Sequence, residues 1–377
     1  MKESAMCASK KNVGLKDIAE ATGYSRITVS CALRSSPKVK ASTAAIIRKK
    51  ASELGYVPDP RVSAVMASVR AAKKRYQEPL AWLNASPERW YWRDYKWLTP
   101  YMEGAQKECA ALGYRLDDFW LYEPGMTEKR MSQILINRGI RGVIITPAPT
   151  ILGVSHLAFD WERLCGITFE SALHSPRLHR VAPSYHYNLM LALKVLRLNG
   201  YRRIGLFMHN LENRRSQNTY LAALHYFQKD LPKHEQVRPL TFKSIWGLPN
   251  EIQFSKWAAE ESQKPDQGNL RAKPLGMLRD WIAKEHPDAI VVQNQSIIEW
   301  LIELGLCVPN DIGVAHLALD DDCADWAGIW QNKRHIGAQA VRELITMLQT
   351  NQIGPPEIFH ETLIRGNWRY GKTIKSR

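Results

Sequence analysis

Aromatic and basic side chains are concentrated in one short stretch, RWYWRDYKW at residues 89–97, which holds five aromatic rings and three basic groups. Such a run has three candidate uses. The rings can stack on a flat ligand, lie between two subunits, or stack on unpaired nucleic-acid bases. The residue types alone do not decide among these uses, so the position of the stretch in the chain has to.

Motifs of enzyme active sites are not found in the sequence. It contains no Gly-rich phosphate loop, no HExxH zinc motif and no GxSxG nucleophile turn. Ser35 and Lys38 have SxxK spacing, but they lie in the basic N-terminal segment. His174, His179 and His186 have no carboxylate at the spacing of a metal site. We therefore expect a protein that is not an enzyme and has no metal or cofactor.

Positive charge is concentrated at the N-terminus. Residues 1–77 hold 16 Lys and Arg against 5 Asp and Glu, whereas the rest of the chain contributes only +4 to the net charge of +15. A basic segment on a nearly neutral body suggests an anionic partner, either nucleic acid or a membrane surface, with a solvated face as the alternative. The sequence has no apolar run of about 20 residues, no signal peptide and no paired cysteines, which predicts a reduced, cytoplasmic protein without a membrane partner.

Residues 15–54 predict three short helices. LKDIAEA places its apolar residues at helical spacing, Gly23 permits a tight turn, and Ser25 is the expected cap of the second helix, RITVSCAL. The third helix is expected over residues 42–54, with Ser42 as its cap and four apolar residues on its buried face, Ile46, Ile47, Ala51 and Leu54. Two short helices joined by a Gly-containing turn form a helix-turn-helix, whose second helix enters the DNA major groove.

GLKDIAEATGYSRITVSCALR, the following PKV and the helix ending in LGYVPDP resemble the DNA-binding head of the lactose-repressor (LacI) family over about residues 13–60. The resemblance implies that Arg26 and Ile27 reach base edges, where Arg can bind guanine and Ile can touch a thymine methyl. It also implies contacts to DNA from Lys16, Tyr24, Ser25, Thr28, Ser30 and Tyr56. For Ser30 the alternative is a hydroxyl bonded to its own helix backbone. Cys31 departs from the family pattern, so one base contact is expected to be missing.

The segment PDPRVSAVMASVRAAKKR stands where LacI-family members have a hinge helix. The resemblance implies that Val65, with Met66 beside it, wedges into a central base step from the minor groove. Val is short and β-branched, which weakens this expectation. The alternative is a helix that packs only on the body.

From residue 79 onward, short apolar runs alternate with amphipathic helices, which predicts parallel sheets covered on both faces. The helix TPYMEGAQKECAALGY is expected to be capped by Thr99 and to bury Leu112. NGYRRIGLF, PDAIVVQN and VPNDIGVAHLAL resemble the periplasmic-binding-protein-like body of the LacI family. The predicted fold is a small all-α helix-turn-helix head plus an α/β body of two doubly wound parallel-sheet subdomains. Its expected segments are a flexible arm (1–12), the DNA-binding domain (13–58), a hinge helix and linker (59–78), and an effector-binding, dimerising core (79–377).

Ligands of such sheets bind outside the carboxyl ends of the strands, in the crevice between subdomains. RWYWRDYKW follows the first body strand, so we expect Trp90 or Trp92 to stack on a ligand there. Arg215, Asn294 and Asp321 are expected to meet the polar groups of the ligand, although the acidic run at 320–322 is alternatively a solvated turn. Gln295 replaces the Asp that the family often uses to hold a sugar hydroxyl. The effector class therefore stays open between a saccharide and another cyclic polar metabolite.

The resemblance implies a homodimeric transcription regulator, by family default a repressor, which binds a two-fold symmetric double-stranded DNA operator. A small effector is expected to change its affinity for that operator. Two alternatives remain. One is an α/β sugar- or nucleotide-processing enzyme fused to a DNA-binding head, which turnover of a bound ligand would reveal. The other is an effector-independent DNA-binding protein with a degenerate core, which Gln295 and the unusual hinge favour.

Overall fold

The computed structural model describes residues 14–33, 39–56, 77–86, 89–90, 97–147, 154–242, 268–293 and 295–375. These residues form a small helical head and a larger α/β body. The body contains two six-stranded sheets whose strands are parallel, except for one antiparallel pair at the edge of the second sheet. The predicted fold class, a helix-turn-helix head with a body of two parallel sheets, is confirmed.

The head consists of three helices: α1 (Leu15–Thr22), α2 (Arg26–Leu33) and α3 (Ala41–Glu53). α1 ends at Gly23, whose φ of 74° permits the tight turn into α2, because a residue without Cβ adopts this conformation without a steric penalty. α2 begins after Ser25, whose hydroxyl oxygen accepts a hydrogen bond from Thr28 N at 3.1 Å. The sequence thus predicted both the turn and the Ser25 cap.

The head packs around a small core made of Ile18, Val29, Ala32, Ala44, Ile47 and Ala51. The third helix differs from its prediction in two places. It begins at Ala41, so Ser42 lies within its first turn and is not its cap. Ile46, which was predicted to be buried, is 55% exposed, because the core-facing positions of α3 are Ala44, Ile47 and Ala51.

The body strands are β1 (Glu78–Asn84), β2 (Tyr114–Trp120), β3 (Gly142–Ile145), β4 (Val154–His156), β5 (Cys165–Phe169), β6 (Leu173–Ser175), β7 (His179–Pro183), β8 (Ile204–His209), β9 (Leu240–Phe242), β10 (Ala289–Val292), β11 (Gly313–Leu319), β12 (Ala327–Trp330), β13 (Glu361–Ile364) and β14 (Asn367–Arg369). The body helices are α4 (Thr99–Leu112), α5 (Glu128–Asn137), α6 (Tyr185–Leu198), α7 (Asn210–Arg215), α8 (Thr219–Gln228), α9 (Gly268–Glu285), α10 (Ile297–Glu303) and α11 (Lys333–Gln349). The central strands β3, β5 and β10 are buried along their whole length, as expected for parallel strands covered on both faces.

The two sheets define two halves of the body. The N-terminal half contains the sheet β13-β7-β5-β3-β1-β2, and the C-terminal half contains β14-β12-β11-β10-β8-β9. Within the described residues, the chain crosses between the halves after β7, after β12 and after β13. These crossings lie side by side, since Ser184 N donates to Ile364 O at 2.8 Å and Asn332 Nδ2 donates to Arg365 O at 3.0 Å. The halves are therefore joined by neighbouring segments, with a crevice between them.

Helices α4 and α11 pack together in the N-terminal half with unusually close backbones. A Cβ atom at Gly104 would lie 1.8 Å from Arg334 O, and one at Gly337 would lie 2.0 Å from Tyr101 O. Glycine is therefore required at both positions. The predicted cap of α4 is corrected, because the helix already begins at Thr99. Leu112, expected on its buried face, is 40% exposed at the last turn.

Candidate DNA-binding surface and ligand crevice

The N-terminal end of α2 presents its side chains to solvent. Arg26 is exposed and Ile27 is 78% exposed, whereas the opposite face of the helix is buried through Val29 and Ala32. At the far end of α2, Arg48 Nε donates to Ala32 O at 3.2 Å and so links the helix to α3. A cation and an apolar side chain therefore project from a helix that is packed on its other face.

Several of the other predicted DNA-binding residues lie on α1 and α2. Lys16 is exposed on α1, where its ammonium lies 3.7 Å from the Glu20 carboxylate. The Thr28 hydroxyl lies 2.9 Å from the Ser25 hydroxyl, so both side chains contribute to the start of α2. Ser30 is half-buried in the middle of the same helix.

The predicted tyrosine contacts differ from these hydroxyl groups in their surroundings. Tyr24 and Tyr56 are partly buried and pack against the core of the head. Tyr56 follows α3 and donates its backbone N–H to Ala51 O at 2.9 Å. The predicted wedge residues Val65 and Met66 lie outside the described residues.

Four charged side chains from both halves of the body meet in the crevice. Glu170, after β5, and Lys333, at the start of α11, belong to the N-terminal half. Arg215, at the end of α7, and Asp320, after β11, belong to the C-terminal half. All four are largely buried: Glu170 and Asp320 are 8% exposed, Lys333 is 6% exposed, and the Arg215 side chain is 16% exposed. Arg215 Nε lies 4.0 Å from Glu170 Oε2, so this pair bridges the halves.

The protonation states in the crevice follow from burial. The Tyr101 hydroxyl donates to Glu170 Oε1 at 3.1 Å. Burial raises the pKa of Tyr101 well above its ordinary value, and the Glu170 carboxylate raises it further, so the phenol keeps its proton. Burial lowers the pKa of Lys333, while the carboxylates of Asp320 and Glu170 oppose that shift. The Lys333 ammonium therefore lies in the electrostatic field of both carboxylates.

Trp97, the last residue of RWYWRDYKW, supplies an aromatic ring to the crevice. Arg215 Cζ lies 5.4 Å from the centroid of this ring, and Lys333 Nζ lies 5.9 Å from it. Both distances are within the range of a cation–π contact. One indole thus contacts a cation from each half of the body.

Trp90 occupies a different place from the one expected. It is 42% exposed and lines a separate cavity of about 180 Å³, together with Arg89 and Trp120. Trp97 is thus the ring of this stretch that lies beside Arg215, and stacking of Trp90 or Trp92 on a ligand stays a prediction. Trp92 and Asn294 lie outside the described residues.

Two further cavities lie at the crevice. One, of about 200 Å³, is lined by Pro100, Leu319, Asp320, Asp321, Trp330, Asn332, Lys333, Arg334 and His335. The other, of about 100 Å³, lies beside Glu170, Arg215 and Tyr185. Both are smaller than the roughly 300–1,000 Å³ of typical small-molecule sites. The predicted residue Asp321 lines the larger cavity, and its carboxylate lies 3.5 Å from Arg334 Nη2.

Neutral polar groups surround the charges on the C-terminal side. Gln295 Nε2 donates to Asp320 Oδ1 at 3.1 Å, so the amide satisfies a carboxylate at the point where the family pattern has an Asp. His316 is buried, and burial lowers its pKa to about 4. Ala318 N donates to His316 Nδ1 at 3.2 Å, and the Nε2 of the neutral ring donates to Gln293 O at 2.9 Å. In the described part of the chain, no group of His, Cys, Asp and Glu side chains is placed to hold a metal ion.

The sequence identified Arg215 and Asp321 but missed Glu170, Lys333 and Trp97. Glu170 directly follows the buried strand CGITF, and its place at the carboxyl end of a strand is the signal that could have identified it. Lys333 follows β12, a strand that the sequence pattern did not reveal. Trp97 was part of the aromatic stretch, but nothing in its spacing distinguished it from the other rings.

Comparison with known proteins gives a family match for the head of the chain, whereas the body is similar to solved structures of low sequence identity. Residues 14–59 match the family model described as bacterial regulatory proteins, lacI family. A comparison with curated proteins gives no match. The helices that are described contain none long and apolar enough to cross a membrane.

Solved structures of similar fold cover most of the chain at low sequence identity. A LacI-family protein from Rhizobium etli is 12% identical, with a TM-score of 0.56 over 79% of this chain and 99% of that one. The regulator CelR in complex with cellobiose is 14% identical, with a TM-score of 0.52 over 96% and 100%. The transcription regulator CcpA of Lactococcus lactis is 13% identical, with a TM-score of 0.50 over 80% and 100%. At such identities these likenesses show the fold of the body and not its ligand.

Proposed function

We propose that the chain is a LacI-family DNA-binding transcription regulator, which represses transcription as a homodimer on a two-fold symmetric operator. We further propose that a small effector between the halves of the body sets its affinity for that operator, and that the body performs no catalysis. The observation that carries the DNA-binding part is the exposed N-terminal end of α2, where Arg26 and the 78% exposed Ile27 project together.

In this proposal, Arg26 and Ile27 read base edges in the major groove. A guanidinium binds guanine O6 and N7 through two hydrogen bonds, and an aliphatic side chain contacts a thymine methyl group. Lys16, Tyr24, Ser25, Thr28, Ser30 and Tyr56 fix the head on phosphate groups, which contribute affinity but little sequence discrimination. Val65 and Met66 follow in the hinge and contact the minor groove at the centre of the operator.

The effector part of the proposal rests on the polar and aromatic lining of the crevice. Trp97 offers a ring face, while Arg215 and Asp321 offer hydrogen-bonding groups. Such a mixture of one apolar face and a few polar groups is typical of small-molecule sites. CelR, which shares the fold, was solved as a cellobiose complex, so a saccharide is one effector class to test.

Regulation follows from a two-state body. The crossings after β7, β12 and β13 allow the halves to change their relative angle, and the hinge segments that precede β1 would move with the N-terminal half. A ligand shifts such an equilibrium only by its difference in affinity for the two states. The effector is therefore a molecule that contacts both halves.

Selection from a random double-stranded DNA pool by the full-length chain tests the DNA-binding part. We expect enrichment of a two-fold symmetric sequence whose half-sites are about one helical turn apart. Sedimentation of the complex should give two chains per site. Enrichment of single-stranded sequences or of no motif would contradict the proposal.

Thermal shift with a panel of neutral sugars, sugar acids and nucleosides tests the effector part. Calorimetry of any hit should then show weaker binding for Trp97→Ala, by on the order of 1 kcal/mol beyond the lost contact area. Trp90→Ala is the matched control and should bind like the parent, because that ring lines another cavity. A larger loss of ligand affinity in Trp90→Ala than in Trp97→Ala would indicate that the ligand binds at the start of the aromatic stretch. Turnover of the hit would favour an enzyme.

A further inference from the structure

The charges in the crevice alternate in sign and come from opposite halves. Asp320 of the C-terminal half and Lys333 of the N-terminal half line the same cavity of about 200 Å³. Glu170 of the N-terminal half lies 4.0 Å from Arg215 of the C-terminal half. Lys333 also lies in the field of Glu170, which joins the two pairs. We call Asp320, Lys333, Glu170 and Arg215 the interlobe ion chain.

Water screens these charges little, because each side chain is 16% exposed or less. Attraction between buried opposite charges is much stronger than at a protein surface, and a buried charge that loses its partner is strongly destabilising. Moving the halves apart would separate both pairs at once. The ion chain therefore opposes opening of the crevice.

The backbone adopts uncommon conformations at or near three members of the interlobe ion chain. Glu170 has a φ of 50°, and Asn332, directly before Lys333, has a φ of 59°. Asn218, near Arg215, has a φ of 63°. Residues other than Gly adopt this region at an energetic cost, and they do so where the surroundings fix them. The same backbone strain therefore accompanies three positions that place the charges.

Uncharged groups also hold individual side chains of the interlobe ion chain in place. The Tyr101 hydroxyl holds Glu170 from α4 at 3.1 Å, and the Gln295 amide holds Asp320 at 3.1 Å. The Trp97 ring lies against both cations. The charges are thus positioned by contacts from several elements and not only by one another.

We propose that the interlobe ion chain is a latch that keeps the two halves of the body closed without a bound ligand. Closure in this protein is the resting state, and an entering molecule has to replace ionic contacts with its own polar groups. The small cavities of about 200 and 100 Å³ are the expected result of such closure.

The test is a distance measurement between spin labels on the two halves of the full-length chain. Lys129, exposed on α5 in the N-terminal half, and Lys229, exposed after α8 in the C-terminal half, are replaced by Cys. The background carries serine at Cys7, at the partly exposed Cys31 and at the exposed Cys307. Labelled chain is mixed with excess unlabelled chain, so that each dimer carries one labelled copy. No sugar or other small molecule is added.

The parent is expected to give one narrow distance peak. Glu170→Gln should shift the main peak to longer distance by more than the width of the parent peak, because Arg215 and Lys333 lose a shared carboxylate. Lys333→Gln should do the same and serves as the second variant. Glu78→Gln is the matched control, since it breaks a 3.5 Å ion pair with Arg141 that lies within the N-terminal half. This control should keep the parent peak.

A parent distribution that is already broad and long would overturn the latch, even if neither crevice variant folds. An unchanged peak in a folded Glu170→Gln or Lys333→Gln variant would also overturn it. The readout does not involve DNA, so a failure of operator selection would leave this result intact, and a failed latch would leave the proposed DNA binding intact.

Discussion

The head and the body assemble their functional surfaces in different ways. The head places its base-reading candidates on consecutive residues of one helix, Arg26 and Ile27, directly after a capping Ser25. The crevice of the body instead collects side chains from widely separated parts of the chain, Trp97, Glu170, Arg215, Asp320 and Lys333. A functional surface formed by consecutive residues can be predicted from a short sequence motif. A surface formed by residues from distant parts of the chain can be recognised only in the folded structure.

The head and the body also differ in the size of their hydrophobic cores. The core of the head contains six residues, of which only Ile18, Val29 and Ile47 are larger than alanine. The body has four clusters of buried residues, one on each face of each six-stranded sheet. A single core substitution should therefore unfold the head while the body remains folded.

Ile47→Ala is the largest expected effect. Ile47 is fully buried, and truncation of such a residue costs about 2–5 kcal/mol, which is a large fraction of the stability of so small a unit. Operator binding should be lost, while the main calorimetric transition of the body stays at the parent temperature. Ile46→Ala, at the neighbouring 55% exposed position, is the matched control and should bind DNA like the parent. Loss of the body transition in Ile47→Ala would show that head and body fold as one unit.

The buried His316 predicts a pH dependence that belongs to the body alone. Its pKa is lowered by burial to about 4 in the folded protein, against an ordinary value of about 6.5. The folded state thus binds fewer protons than the unfolded state between these values. The resulting stability is fully present above pH 6.5 and decreases as the pH falls toward 4, by on the order of 3 kcal/mol.

Denaturant unfolding at pH 7 and pH 5 measures this dependence. His316→Asn can still accept the Ala318 N–H but does not titrate, so its loss of stability over this interval should be smaller than that of the parent. His225→Asn, at an exposed position on α8, should keep the parent slope. Equal slopes for His316→Asn and the parent would assign the acid sensitivity to other groups.

Gly337→Ala tests the close contact of α4 and α11 at a smaller expected cost. The added Cβ would lie 2.0 Å from Tyr101 O, so the helices must separate, and overpacking of this kind costs about 1–3 kcal/mol. The melting temperature of the body should fall while that of the head is unchanged. Gly276→Ala in α9 has nothing within 4 Å of its new Cβ, and as the control it should be neutral or stabilising.

Much of the fold was predictable from periodicity and turn residues. Ser25 and Gly23 marked the helix-turn-helix. Apolar runs marked β1, β2, β3, β5, β8, β10 and β11, but not the parallel strands β7 and β9. The sequence pattern missed β12, β13 and β14, because these strands have only three or four residues and β13 and β14 are partly exposed. Missing them also hid the crossings between the halves.

The site in the body was predictable only in part for the same reason. Arg215 and Asp321 follow strands or helices that the pattern revealed. Lys333 follows a missed strand, and the preceding Asn332 has a positive φ that depends on its contact with Arg365. Tertiary contacts of this kind leave no recognisable pattern in the neighbouring sequence. Ser42 was misassigned because α3 begins one residue earlier, at Ala41. Ile46 was misassigned because adjacent helix positions point about 100° apart, and the buried face runs through Ala44, Ile47 and Ala51.

Binding of selected operator DNA to Arg26→Ala tests whether the N-terminal end of α2 reads the bases. At one fixed salt concentration, Arg26→Ala should lose about 1–3 kcal/mol of binding and relax the preference at one base pair per half-site. Lys49→Ala, which removes the same charge from an exposed position on α3, should leave the base preference unchanged. If Arg26→Ala binds the operator as tightly and as selectively as the parent, α2 does not read the DNA through this residue and the account is contradicted.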